Sequence, residues 1–82
     1  MGFEPVVYDA EADTLYVRLA DQPVGSTTTL DDLRILDHAA DGTLVGVEFI
    51  DVSDGIDIHD LPFGPQLEKL IAASGHTFRI VA

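Results

Sequence analysis

The chain has 82 residues, with fifteen Asp and Glu against four Lys and Arg, for a formal net charge of −11. A hydrophobic content of 46% separates it from disordered chains, so one core and a single domain over residues 1–82 are expected; the absence of cysteine excludes disulfides, thiolate metal sites and a cysteine nucleophile. Fourteen of the acids but only Arg18 and Arg34 lie in residues 1–60, a charge of −12 that repels phosphate backbones and excludes direct nucleic-acid binding.

At the N-terminus, Met1-Gly2-Phe3-Glu4-Pro5 has no basic stretch before an apolar run, and Val6 stands where a myristoylation motif wants Ser or Thr. Neither a leader nor a lipid anchor is expected, and no run approaches the ~18 apolar residues of a membrane span. Val6, Val7 and Tyr8 form a short β-prone run that the polar Asp9-Ala10-Glu11-Ala12-Asp13 segment ends. A second strand follows, with Leu15, Val17 and Leu19 on one face and Thr14, Tyr16 and Arg18 on the other.

Residues 20–25 read as a loop, and residues 27–37 as β-prone chain with a bulge or bend at Asp31-Asp32. Asp41-Gly42 marks a tight hairpin connection. Residues 43–51 are the most β-prone of the chain, with Val45, Val47 and Phe49 on one side and Leu44 and Ile50 on the other, which predicts a central strand. Residues 52–61 hold three acids with Ile56 and Ile58, too polar a pattern for a core strand, and read as an ordered loop.

Gly64-Pro65 opens a helix of about ten residues, because Pro at the first helical position loses no needed hydrogen bond. Leu67, Leu70 and Ile71 form its apolar stripe, Phe63 extends it, Gln66, Glu68 and Lys69 face solvent, and Gly75 closes it. So short a helix needs a sheet to pack against. Phe78 and Ile80 alternate in a last strand. The expected fold is α+β: a small antiparallel β-meander of four to five strands with one C-terminal helix packed on one face.

Few residues suggest chemistry. Asp9, Glu11 and Asp13 have the spacing that opens a calcium loop, but Thr14 stands where Gly is needed and Ala20 where a bidentate Glu is needed. Turn and solubility roles are expected of them. His38, His59 and His76 sit in no zinc-binding spacing, and Asp57-Ile58-His59 is the first place to look for a metal. Ser26, Ser53 and Ser74 occupy no nucleophile elbow, and Gly42 and Gly46 make no phosphate loop, so no catalytic residue is named and no cofactor is expected. Tyr16 and Arg18 share the outward face of the second strand, where Glu48 of a paired strand can meet Arg18. The trio is either a cross-strand structural group or the centre of a partner surface, since Tyr and Arg favour binding hot spots.

Val7-Tyr8-Asp9-Ala10-Glu11-Ala12-Asp13-Thr14-Leu15-Tyr16-Val17-Arg18-Leu19 resembles the opening signature Y-D-x-E-A-D-x-L-Y-I-x-L of small bacterial proteins called the domain of unknown function 2283 family. Residues 37–53 resemble its second signature, D-G-x-V-V-G-I-E followed by L-D-A-S. The likeness spans residues 6–53, while residues 54–82 replace a short tail with a loop, helix and final strand. It implies a bacterial cytoplasmic origin and, for some members, an antitoxin-like role beside small ribonuclease toxins.

The leading expectation is therefore a non-catalytic protein-interaction module with a basic protein partner, antitoxin-like in the sense of neutralising it. The rival is a small metal-dependent or Asp/His-based enzyme or ligand-binding protein using Asp57 and His59. Unpaired sheet edges lead to the further expectation of a homodimer.

Overall fold

Residues 5–81 are the part of the chain that the computed structural model describes; residues 1–4, where a leader or lipid signal was sought, and residue 82 lie outside it. Five strands form one antiparallel sheet: β1 (Val6–Asp9), β2 (Thr14–Arg18), β3 (Ser26–Asp31), β4 (Arg34–His38) and β5 (Leu44–Ile50). Their order is β1-β2-β5-β4-β3. The sheet is therefore not the simple meander expected from sequence, because β5 returns to lie beside β2. That central place suits the strand with apolar residues on both sides.

Residues 27–37 do more than bend. They reverse completely into the β3–β4 hairpin, where the Asp31 carboxylate accepts the Leu33 N–H at 3.0 Å and the register shifts between Thr29 and Asp31. An Asp side chain that bonds the backbone two residues on imitates a backbone turn, which is how an acidic pair ends a strand. Between β4 and β5 the chain turns at Gly42, with φ +92, beside an Asp41 carboxylate that accepts the Thr43 N–H at 2.9 Å.

The β2–β5 register sets Leu15 opposite Phe49 and Val17 opposite Val47, and these four side chains are at most 2% exposed. A second register shift, between Asp37 and His38, brings Leu44 into the same cluster as Val47 and Phe49. Strict alternation sets Leu44 with Ile50 on the opposite side, and the structure does not. An extra residue in one strand inverts the alternation beyond it, so a strict period of two fails there.

The expected loop over residues 52–61 contains a 3₁₀ turn, Val52–Asp54, and the short β6, Ile56–Asp57. Ile56 and Ile58 are buried while Asp57 and His59 alternate away from the core, so the acids that masked the strand occupy its other side. The final strand, β7 (Ile80–Val81), does not extend the large sheet. It pairs parallel with β6, Ile56 opposite Ile80, in a separate two-stranded sheet.

Helix α1, Gly64–Ala73, has Pro65 in its first turn and is followed by Gly75 at φ +88. Leu67 and Ile71 are buried and join the cluster of Leu15, Val17, Val47, Phe49, Val52, Ile56 and Ile58, with Leu70 packed against it. Full burial of such side chains stabilises by about 1.5–3 kcal/mol each, so the segment after β5 is a major source of fold stability. Phe63 does not extend the stripe: it precedes the helix in left-handed backbone, φ +61, and is 56% exposed. Glu68 and Lys69 are exposed, as the spacing predicts.

Candidate functional site

Side chains that alternate with the buried ones share the outer face of the sheet. Register places Thr14, Tyr16 and Arg18 of β2 opposite Ile50, Glu48 and Gly46 of β5, and Glu48 and Gly46 in turn opposite Ile35 and Asp37 of β4. Thr14, Tyr16, Arg18, Glu48, Ile50, Ile35 and Asp37 are all half-buried, whereas their inner-face neighbours on β2 and β5 are sealed. This outer face therefore carries the accessible chemistry of the sheet.

Tyr16 is its centre. The phenol lies across Gly46, occupying the space a side chain there would need, and so spans β5 to reach β4. Its hydroxyl donates to Asp37 Oδ2 at 2.9 Å, and Asp37 Oδ1 accepts from Thr27 Oγ1 of β3 at 2.7 Å. Strands β2, β4 and β3 are thereby linked over the top of β5. Partial burial pushes the phenol up to about 12, reinforced by the hydrogen bond and charge of Asp37 and by Glu48, with Arg18 opposing. At neutral pH the group is a fixed hydrogen-bond donor and a flat apolar surface, and no proton-accepting role follows from it.

Glu48 stands opposite Tyr16, and Arg18 opposite Gly46, which makes Arg18 and Glu48 diagonal neighbours rather than a directly facing pair. Both act on the Tyr16 phenol electrostatically. The three residues singled out from sequence therefore lie together on one face. Asp37, the acceptor that fixes the ring, was not foreseen, because nothing in a separation of 21 residues signals the contact.

The Asp57-Ile58-His59 segment is organised as a turn. Asp57 Oδ1 accepts the His59 N–H at 2.8 Å, and His59 Nε2 lies 3.0 Å from the exposed Asp60 carboxylate. Among the described residues no group of three or more His, Asp or Glu side chains is placed to hold a metal ion. Of the D-x-E-x-D acids, Asp9 accepts the Ala12 N–H at 3.0 Å, closing the β1–β2 turn. Asp13, in left-handed backbone, accepts from the Ser53 N–H at 3.1 Å and from Ser53 Oγ at 2.7 Å, tying that turn to the 3₁₀ segment forty residues away. His76 packs edge-on to Tyr8 with ring centroids 5.1 Å apart, and Phe78 at 5.2 Å.

Arg34 is a further organising residue that sequence reasoning passed over. Its side chain is only 12% exposed. Nε and Nη2 donate to Asp31 Oδ2 at 3.0 and 2.7 Å, while Nη1 donates to the His59 carbonyl at 2.7 Å and the Asp57 carbonyl at 3.4 Å. The guanidinium thus clamps the residue 57–59 turn to the β3–β4 hairpin, and its hydrogen bond holds the Asp31 carboxyl below the usual carboxylate range. The Asp31-to-Arg34 spacing across a reversal was the available signal. Elsewhere an open groove of about 450 Å³ runs between the start of α1 and the β4–β5 turn, lined by Leu19, His38, Leu44, Pro62, Phe63 and Gln66 among others.

Compared with known proteins, the chain matches one family model over residues 6–53, more than half its length: protein of unknown function (DUF2283). No curated protein and no solved structure matches it.

Proposed function

The chain belongs to the DUF2283 family, and since that family is described only as of unknown function, we propose from its outer sheet face that it is a non-catalytic protein-interaction module. The partner is a basic protein, and the contact is centred on Tyr16 with Arg18 and Glu48. The observation that carries this reading is the Tyr16 ring itself: half-exposed, yet held in place by Gly46 beneath it and Asp37 beyond it. A pre-ordered aromatic surface loses little side-chain entropy on binding, and Tyr and Arg concentrate interface energy. In this reading α1 packs on the inner face as a lid and leaves the outer face free.

Charge supplies the choice of partner. A chain at −11 steers basic proteins toward itself and repels acidic ones, which suits a neutralising, antitoxin-like role. The setting is a bacterial cytoplasm, which a cysteine-free composition suits.

The test is capture of the partner from the native host, followed by calorimetry with the purified pair. Tyr16→Ala is expected to weaken binding by about 30-fold, the size of a hot-spot loss near 2 kcal/mol, and added salt is expected to weaken it further. Unchanged affinity on Tyr16→Ala, or salt-insensitive binding, overturns the reading. Heat and a thermal shift on titration with zinc, manganese or calcium would instead favour the metal-dependent alternative at Asp57 and His59.

A further inference from the structure

We infer that the outer edge of β3 is the seam of a two-fold homodimer in which the sheets of two copies join, antiparallel, into one continuous ten-stranded sheet. This goes beyond the partner surface on the outer face and does not depend on it. Among the described residues β3 is terminal in the strand order, paired with β4 on one side only, and all six of its residues are exposed. An edge strand offers a row of unpaired N–H and C=O groups to any strand that can approach it.

Charge selects what approaches. Residues 22–30 contain no ionisable side chain, nine consecutive positions in a chain at −11. Two identical acidic molecules repel wherever their acids face each other, and an uncharged strip is where that repulsion is least. A basic partner gains nothing from such a strip, whereas a second copy needs one. The opposite edge is less suited: β1 has four residues against six in β3 and directly follows Pro5, while both strands end at an acid, Asp9 and Asp31. Lys and Pro, which natural edge strands use against self-pairing, are both absent from β3. Leu30 within the strand, and Val24 and Leu33 beside it, each close to 45% exposed, add apolar area to the backbone bonds.

A two-fold axis perpendicular to the sheet is the one that pairs identical edges antiparallel. It also keeps equivalent faces on the same side. Both Tyr16 surfaces then lie on one side of the joined sheet, so a partner meets two copies of the face at once.

The experiment is sedimentation equilibrium of the full chain from about 5 μM to about 1 mM, at about 0.05 M and about 0.5 M salt. A dimer with a dissociation constant on the order of 10 μM is expected, as for a small interface, and severalfold tighter at high salt because screening relieves self-repulsion. Capture of a basic protein has the opposite salt dependence, so failure of one reading is distinguishable from failure of the other. Amide hydrogen exchange on the unaltered protein is expected to show concentration-dependent protection at residues 26–30 and none at β1. Thr28→Pro, which removes an N–H from the strand, is expected to sediment as a monomer with an unchanged circular dichroism spectrum. If that variant unfolds, the exchange pattern of the unaltered chain decides. A monomer over the whole concentration range, or protection that grows at β1 or elsewhere in place of β3, overturns the inference.

Discussion

Replacing Gly46 by alanine tests whether the Tyr16 ring is held as described. Gly46 lies in ordinary strand backbone, so alanine there is conformationally acceptable and by itself gains about 0.5 kcal/mol over glycine. Its methyl group, however, occupies the place of the Tyr16 phenol, which must swing away and release Asp37. The lost hydrogen bond to a half-exposed carboxylate costs about 1 kcal/mol, and the lost cover of the ring over β5 about 1 more. Net destabilisation of about 1.5 kcal/mol lowers Tm by about 6–12 °C in a domain of this size. In a Tyr16→Ala background the obstacle is gone, and the same Gly46→Ala change should stabilise by about 0.5 kcal/mol. Thermal melts of the four proteins give a coupling near 2 kcal/mol if the two residues share one volume. Equal costs in both backgrounds would refute the account. Ultraviolet titration adds a second readout: the phenol titrating near 12 in the native protein should move down toward 10 in Gly46→Ala. Because the folded-state value lies above the unfolded one, the Tyr16 contribution is complete below pH 10 and is lost as pH rises through 12. With the ring half in water, that loss amounts to about 1 kcal/mol.

Arg34→Met is expected to destabilise by about 2 kcal/mol through loss of the clamp on the Asp57 and His59 carbonyls and of the Asp31 pair, measured by urea unfolding at pH 7. The Asp31 carboxyl is depressed in the fold, so its share is present above the ordinary value of 3.8 and disappears as pH falls through the lower folded value; the gap between native and variant should narrow in acid. Ser53→Ala, which removes only the Oγ bond, should cost about 1 kcal/mol; Asp13→Ala, which also loses the backbone bond and sets alanine in left-handed backbone, should cost about 2 kcal/mol, and the double variant little more than Asp13→Ala alone. Phe63→Asn should raise stability by up to about 1 kcal/mol, because asparagine tolerates the left-handed backbone better; a lower Tm would mean that the ring contributes packing despite its exposure.

Elements governed by local periodicity were legible in the sequence. Alternation across Leu15, Tyr16 and Val17 gave β2 and both of its faces, and the Leu67, Leu70 and Ile71 spacing with Pro65 and Gly75 gave α1 nearly to its ends. Tyr16, Arg18 and Glu48 came together because strand parity and antiparallel pairing are enough to place them. What failed depended on partners distant in the chain. The return of β5 to β2 is decided by which strand best covers a doubly apolar one, and β6 hides its alternation among acids because only Ile56 and Ile58 face the core. Leu44 was misplaced by a single register shift. Asp37 and Arg34 went unnoticed as organising groups because their partners are set by sheet geometry and chain reversal.

The parallel clasp of β6 with β7 bears on how the chain matures. The Ile56 amide finds its acceptor on Arg79 and the Ile58 amide on Val81, so neither bond exists until those late residues are synthesised. A nascent chain that stops after the helix leaves two isoleucines without their backbone ties, so the clasp closes only once the last residues have been made.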